Sequence, residues 1–333
     1  MPTVETSPGK VESRHLDSYG QGAMWGFVAW AVAATVAFAV PLWQLGTYSL
    51  KADLFSHALL IPVVSAYLIW TRRDPTPLPW SRGTRWAAVP AVLALMLLGF
   101  YWLFWQPRGP LPPNDYLSVM TAAYLLVVLS GALACLGWGV VKALSFPILF
   151  LVFMIPWPTV MIDAIEIGLQ FASAEAAHGL LHVTGVPLLR DGLRSAAGIT
   201  LEVAQECSGV RSSYVLFITS VLGAHMLLRT RWRRWVLVLA VIPLGIVRNG
   251  FRILTIAMLC VYVDPAMIDS PIHHRGGPIF FVLSLIPFFL LLLWLRKSEG
   301  KAGKTPTPVG VEVTRLKPQQ SLLTSSPTRP GDW

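Results

Sequence analysis

Long apolar tracts alternate with short polar segments along most of the chain. A tract of about 18 or more apolar residues is long enough to cross the ~30 Å hydrocarbon core of a bilayer as a helix. The pattern therefore predicts an all-α integral membrane protein. We expect a bundle of eight transmembrane helices, at residues 23–44, 54–71, 86–105, 116–136, 138–156, 208–228, 235–258 and 278–295.

The longest interruption between these spans covers residues 157–206, which we expect to lie outside the membrane. Its first half, 159–183, is helix-like and carries charged residues and histidines, which is typical of an amphipathic helix at the membrane interface. In its second half Pro and Gly mark turns, and the alternation of apolar and polar residues at 199–203 predicts a short strand.

The membrane domain is expected to cover residues 23–297, between a polar N-terminal tail (1–22) and a disordered C-terminal tail (298–333) rich in Pro, Thr, Ser and Gly. With eight spans, the Lys and Arg residues of the short loops fall on one side together with both termini. An excess of basic residues marks the cytoplasmic side of a multi-pass inner-membrane protein. Segment 157–206, the start of the sixth span and the loop at 259–277 then face the periplasm.

The composition and the placement of charge limit the kinds of molecule that the chain is expected to bind. The chain is 54% hydrophobic and 13% charged, whereas roughly a quarter of the residues in soluble domains are charged. The net charge of +9 does not indicate nucleic-acid binding, because the basic residues sit at the ends of apolar tracts and form no stripe. The three cysteines, Cys135, Cys207 and Cys260, are too few and too scattered for a disulfide framework or a zinc site.

A cysteine at the start of the sixth span is the first candidate for chemistry. It lies in Glu206-Cys207-Ser208-Gly209, where the outer segment meets the helix. A helix N-terminus lowers the pKa of a thiol and increases its thiolate fraction, and Ser208 or Gly209 would cap the helix. Cys207 is therefore the candidate nucleophile, against the alternative of a small buried hydrophobe, which is what most free cysteines are.

Two arginines and an asparagine interrupt the seventh span, in Arg248-Asn249-Gly250-Phe251-Arg252. Each arginine costs roughly 2.5–3.5 kcal/mol on insertion scales, so such residues normally face the bundle interior or a water-filled cavity and have a function. Arg248 and Arg252 are one turn apart and share a helix face. For Arg252, nearer the outer end, snorkelling to the interface is the competing interpretation.

Paired histidines precede the last span, in Ile272-His273-His274-Arg275-Gly276-Gly277. Adjacent residues point in different directions and no further ligands accompany them, so a metal site is not expected. A general acid or base is the better functional interpretation, with a solvated loop side chain as the alternative. A thiol, an intramembrane guanidinium and an imidazole from three segments are all predicted at one membrane face.

These groups are the components of covalent acyl transfer. Cys207 would attack a peptide carbonyl as the thiolate, and Arg252 would stabilise the thiolate and then the oxyanion. His273 or His274 would protonate the leaving amine and later deprotonate the incoming nucleophile. The mechanism requires neither a cofactor nor a metal.

The same residues resemble the exosortase/archaeosortase family of polytopic cysteine transpeptidases. The resemblance covers about residues 25–297. The matching segments are Glu206-Cys207-Ser208-Gly209 with Val210-Arg211-Ser212, Asn249-Gly250-Phe251-Arg252, and His273 with Gly277 and Phe281, preceded by Ser56-His57-Ala58-Leu59-Leu60-Ile61-Pro62, Tyr67-Leu68-Ile69-Trp70 and Met154-Ile155-Pro156-Trp157-Pro158.

The resemblance implies cleavage of a C-terminal sorting signal on secreted proteins, made of a short motif such as Pro-Glu-Pro, a hydrophobic helix and a basic end. The new C-terminus would be transferred to an unidentified acceptor, such as a surface polysaccharide. The resemblance assigns the catalytic roles to Cys207, Arg252 and His273, with His274 as the alternative, and favours the bacterial branch. Arg248 matches no family residue, and its role stays open.

The sequence leaves open which side chains bind the sorting motif and which of two functions the chain has. The outer segment offers several side chains that would help to bind the sorting motif, namely Asp163, Glu166, Glu175 and Arg190. The competing function is a non-enzymatic transporter or assembly component for an exported polysaccharide. A transport pathway would tolerate loss of the Cys207 thiol, whereas a nucleophilic mechanism would not.

Overall fold

The described residues of the computed structural model are 8–51, 53–72, 78–81, 84–184, 189–191, 194–196, 200–202, 209–264, 266 and 277–302. Within them the chain is largely helical. The helices are α1 Pro8–Ala37, α2 Ala39–Lys51, α3 Leu60–Trp70, α4 Ala88–Phe100, α5 Pro113–Cys135, α6 Gly137–Ala143, α7 Ser145–Phe150, α8 Thr159–Val183, α9 Val210–Leu227, α10 Arg231–Leu239, α11 Val241–Tyr262 and α12 Gly277–Ala302.

Short 3₁₀-helical and π-helical segments extend several of these helices. The 3₁₀ segments are Asp53–Leu59, Arg85–Ala87, Gln106–Arg108 and Leu151–Met154, and the π segment is Tyr101–Trp105. A small antiparallel sheet lies between α8 and α9 in the sequence. Its strands are β1 Leu189–Asp191, β2 Arg194–Ala196 and β3 Thr200–Glu202, in the order β1-β2-β3.

The class of a largely helical, multi-pass membrane protein is confirmed, but the count of eight spans is not. Among the described residues, five helices are long and apolar enough to cross a bilayer. They are Arg85–Arg108, Pro113–Cys135, Val210–Leu227, Arg231–Tyr262 and Gly277–Glu299. Two further apolar tracts are each broken into a bent pair of helices, which gives up to seven spans. The remaining tract, Leu54–Trp70, is a shorter apolar helix.

Prolines explain where the two bent tracts break. The first tract bends by 72° between α1 and α2, and the second bends by 73° at Leu144, between α6 and α7. Pro41 and Pro147 are the third residues of α2 and α7. A proline has no N–H and its ring collides with the carbonyl four residues earlier, so the preceding helix ends there. Those carbonyls belong to Ala37 and Ala143, the last residues of α1 and α6.

Helix α9 joins the two largest apolar clusters of the bundle. One of its faces packs with α10, α11 and α12 through buried side chains that include Leu216, Leu237 and Leu295. Another face packs with α2, α3, α5 and α7 through residues that include Tyr214 and Ile218. The position of α9 is therefore fixed from both sides.

Helix α8 has the bounds that the sequence predicted, and its buried face lies against α11. Ala176 and Ala177 lie beside Gly250, and Leu181 packs with Ala257. At its beginning, the Asp115 carboxylate accepts hydrogen bonds from the backbone N–H of Thr159 (2.7 Å) and from its hydroxyl. This carboxylate at a helix N-terminus also faces the positive end of the helix dipole.

The close approach of α8 and α11 requires a residue without a side chain at Gly250. A Cβ atom there would lie 2.8 Å from the Cβ of Ala176 and 3.2 Å from the backbone nitrogen of Ala177. We predict that Gly250→Val lowers the free energy of unfolding by about 1–3 kcal/mol, since overpacking forces the two helices apart. The measurement is the thermal unfolding midpoint of the purified protein in detergent.

The matched control is Gly168→Val in α8, where a Cβ meets no other atom within 4 Å. It makes the same change in helix propensity without the steric conflict. Equal midpoints for the two variants would contradict the tight contact between α8 and α11.

Candidate active site

The structure describes part of the predicted site. Gly209, Arg248, Asn249 and Arg252 are among the described residues, whereas Glu206, Cys207, Ser208, His273 and His274 lie outside them. Of the candidates for motif binding, Asp163, Glu166 and Glu175 lie on α8, and Arg190 lies in β1.

Gly209 is the N-cap residue of α9, and Ser208, the other predicted cap, lies outside the described residues. Its backbone is left-handed, with φ +69° and ψ 14°. Glycine adopts this conformation without strain, whereas other residues carry a steric penalty from Cβ. A Cβ atom at this position would also lie 2.9 Å from Nη2 of Arg248 and 3.3 Å from Oδ1 of Asn249. Both the backbone conformation and the surrounding space therefore require glycine.

Arg248 holds the start of α9 against α11. Its side chain is only 8% exposed, and its Nη2 donates hydrogen bonds to the Gly209 carbonyl and to the Ser213 hydroxyl, each 3.1 Å long. The Gly209 carbonyl also accepts from the backbone N–H of Ser213 (3.0 Å) and from the Ser212 hydroxyl (3.1 Å). Nη1 of Arg248 is buried and makes no hydrogen bond within the described residues.

A second close approach lies one turn along the same interface. A Cβ on Gly245 would lie 2.8 Å from the Ser213 hydroxyl oxygen, so α9 and α11 pass each other at near-backbone contact. Small residues allow membrane helices to pack in this way. Since Gly209 pairs with Arg248 and Ser213 with Gly245, the two helices run antiparallel.

Asn249 and Arg252 continue the polar part of α11. Asn249 is buried at 2% exposure, and Arg252 is half-buried one turn beyond Arg248. The ring of Phe251 lies 6.3 Å from the ring of Phe280, near the start of α12. The first residues of α9 and of α12 therefore contact the same stretch of α11. The described chain resumes at Gly277, three residues before Phe280.

Two contacts at this site were not anticipated from the sequence. Ser213 is one, and the only signal for it was a hydroxyl within an apolar tract, one turn after the N-cap. The other is Tyr214, a buried residue whose ring lies 4.7 Å from the ring of His57 and 4.5 Å from the ring of Trp157. His57 and Trp157 belong to segments that resemble the exosortase family, and the structure brings both of them to Tyr214, the fifth residue of α9.

The arrangement is suited to binding an anion. The N-terminus of α9 is the positive end of its helix dipole, and Arg248 lies against it. Such a site lowers the pKa of a nearby thiol and stabilises a developing oxyanion. On α8, burial and the neighbouring Asp163 carboxylate raise the pKa of Glu166. Within the described residues, no group of three His, Cys, Asp or Glu side chains is suited to hold a metal ion.

The fold and these contacts define a multi-pass helical membrane protein with a polar site where α9 begins beside α11. Residues 43–290 match the model of the transmembrane exosortase family, which covers most of the chain. The chain therefore belongs to the transmembrane exosortase family. No curated protein and no solved structure matches the chain.

The hydrogen bond from Arg248 to the Ser213 hydroxyl can be tested by a double-mutant cycle with Arg248→Met and Ser213→Ala. A hydrogen bond to a charged group contributes about 1.5–3 kcal/mol. We expect the two variants to be coupled in unfolding free energy by about that amount, because either change breaks the bond between Nη2 and the hydroxyl. The measurement is unfolding of the four proteins in detergent.

The control cycle pairs Arg248→Met with Ser284→Ala. Ser284 is a buried serine of α12 whose hydroxyl donates to its own helix, at the Phe281 carbonyl. Strict additivity in both cycles would refute the contact between Arg248 and Ser213.

Proposed function

We propose that this chain is a membrane cysteine peptidase and transpeptidase that cleaves the C-terminal sorting signal of secreted proteins. Cys207 is the nucleophile, Arg252 stabilises the charge that develops on sulfur and oxygen, and His273 is the proton carrier, with His274 as the alternative. Membership of the transmembrane exosortase family supports this assignment.

The observation that carries the proposal is the hydrogen bond from Arg248 to the Gly209 carbonyl. Cys207 precedes Gly209 by two residues, and two peptide units span at most about 7 Å. The contact therefore ties the nucleophile's segment to α11, the helix that also carries Arg252. Gly277, four residues after His273, begins the helix that meets the same stretch of α11 through Phe280.

The chemistry runs in two steps. The Cys207 thiolate attacks the carbonyl carbon of the scissile peptide, and the tetrahedral oxyanion is stabilised by a guanidinium. The C–N bond then breaks, the leaving amine takes a proton from the imidazolium, and a thioester remains on Cys207. An acceptor nucleophile loses its proton to the imidazole, attacks the thioester and releases the thiolate.

The substrate in this proposal is a secreted protein that ends in a short motif, an apolar helix and a basic cluster. The apolar helix lies within the bilayer, so its motif meets Cys207 at the end of the bundle where α9 begins. The excess of arginine at the opposite end orients both termini towards the cytoplasm and the site towards the periplasm. The acceptor is the nucleophile of a surface or extracellular polysaccharide.

The first experiment is co-expression of the protein with a tagged substrate of this kind from the same genome. We expect Cys207→Ala to reduce cleavage by at least about 10⁴-fold, because the nucleophile is absent. The controls are Cys135→Ala and Cys260→Ala, which remove the other two thiols from apolar surroundings. Cleavage is measured from the size of the tagged substrate on a gel.

The same assay distinguishes the proposed role of Arg252 from that of the catalytic histidine. Arg252→Gln should reduce cleavage by roughly 10²–10³-fold through loss of oxyanion stabilisation. Replacing the correct histidine by glutamine should reduce it by roughly 10²–10⁴-fold, and replacing its neighbour should have little effect. Equal processing by wild type and Cys207→Ala would end the cysteine mechanism and favour the transporter.

A further inference from the structure

A second polar region lies at the opposite end of the bundle from Gly209. It is a cavity of about 770 Å³ formed by the ends of α3, α9 and α12, the start of α10 and the break between α6 and α7. This volume is within the range of small-molecule binding sites, roughly 300–1,000 Å³. The elements that form it are far apart in the sequence, so the cavity is a product of the fold.

Four arginines line the cavity, and among the described residues the only carboxylate in the lining is that of Glu299. Arg72 follows α3, Arg229 follows α9, Arg234 lies in α10 and Arg296 lies in α12. Arg229 and Arg296 are exposed, and Arg234 is half-buried with its Nε bound to the Leu228 carbonyl (2.8 Å). Arginines from four separate segments therefore line one space.

The carboxylate of Glu299 is already engaged by other groups. It accepts hydrogen bonds from the backbone N–H of Arg229 (3.0 and 3.1 Å) and of Thr230, at the beginning of α10. It also lies 3.8 Å from Nη1 of Arg233. Its charge compensates this helix end and Arg233, so the field of the four lining arginines persists in the cavity.

Exposed tryptophans indicate the depth of this cavity in the membrane. Trp70 lies two residues before Arg72, Trp232 and Trp235 flank Arg234, and Trp294 lies two residues before Arg296. All four rings are more than half exposed, at 85%, 55%, 66% and 62%. Tryptophan concentrates where the hydrocarbon core meets the headgroups. The arginines therefore lie at headgroup depth.

We propose that this cavity binds the phosphate-bearing headgroup of an anionic phospholipid. Guanidinium groups bind phosphate through paired N–H donors, and basic pockets between transmembrane helices are suited to acidic lipid headgroups. The His225 ring is stacked on Phe146, with centroids 3.4 Å apart and an interplanar angle of 3°, and forms part of the lining. The lipid holds α3, α9, α10 and α12 together at this end. The proposal does not depend on the peptidase activity.

The test measures lipids retained by the full-length protein in detergent, by native mass spectrometry, with equal amounts of phosphatidylglycerol and phosphatidylcholine. We expect phosphatidylglycerol to be retained preferentially. In Arg229→Gln/Arg296→Gln its apparent affinity should fall by roughly 25-fold, or about fivefold for each arginine removed. Both side chains are exposed, so the unfolding midpoint should stay near that of wild type.

The matched control is Arg85→Gln/Arg231→Gln, which removes two exposed arginines outside the lining at the same end of the bundle. It should retain phosphatidylglycerol as wild type does. An equal loss in both double variants, or equal retention of phosphatidylcholine, would overturn the proposal. A third arm adds glycerophosphoglycerol, which is the same phosphodiester headgroup without acyl chains. Displacement of the lipid by equimolar glycerophosphoglycerol would identify a site for a soluble phosphate compound instead.

Discussion

The hydrocarbon core of a bilayer contains no water to satisfy a polar group, and much of this structure follows from that constraint. Arg248 is buried among apolar helices, and its Nη2 is satisfied by a carbonyl and a hydroxyl of α9. Where Pro147 ends a helix, the Ser65 hydroxyl of α3 donates to the Pro147 carbonyl (2.7 Å). Such bonds are specific to position, so they fix the register in which otherwise interchangeable apolar helices meet.

Helix α11 carries most of the described residues of the candidate site and contacts the rest. Gly245 lets α9 approach on one face, and Gly250 lets α8 approach on another. The polar residues Arg248, Asn249 and Arg252 lie in the same stretch as these two glycines. The site residues are therefore held by close contacts between helix backbones, which preserve geometry better than long side chains meeting across a gap.

The sequence predicted this organisation where the signal was local. Hydropathy located the apolar tracts, and the helix-like pattern of 159–183 identified α8. In the structure Pro41, Pro62, Pro90, Pro147 and Pro243 are each the third residue of a described helix, and none of the predicted spans began at these positions. The count of eight spans was not confirmed because hydropathy averages over a tract. It does not register the loss of one hydrogen bond and the ring clash that bend the chain at Pro41 and Pro147.

Contacts between residues far apart in the sequence could not be predicted from local sequence patterns. Two arginines one turn apart predicted a polar face on α11, but nothing in the sequence identified Ser213 as the partner of Arg248. The grouping of four arginines around one cavity likewise depends on which helix ends become neighbours. Charge counts gave the side of the membrane on which these arginines were expected, and only the fold brings them within reach of a single ligand.

The bond between Arg248 and Gly209 also bears on the order of biogenesis. Its two partners are 39 residues apart, and α8 and α9 both leave the ribosome before α11. When Arg248 enters the membrane, the Gly209 carbonyl that accepts its hydrogen bond has therefore already been synthesised. The same holds for helix α8, which packs against Gly250. The cost of burying this guanidinium is therefore offset only once α9 is in place. A chain with a misplaced α9 would expose that charge, and cellular quality control could recognise it.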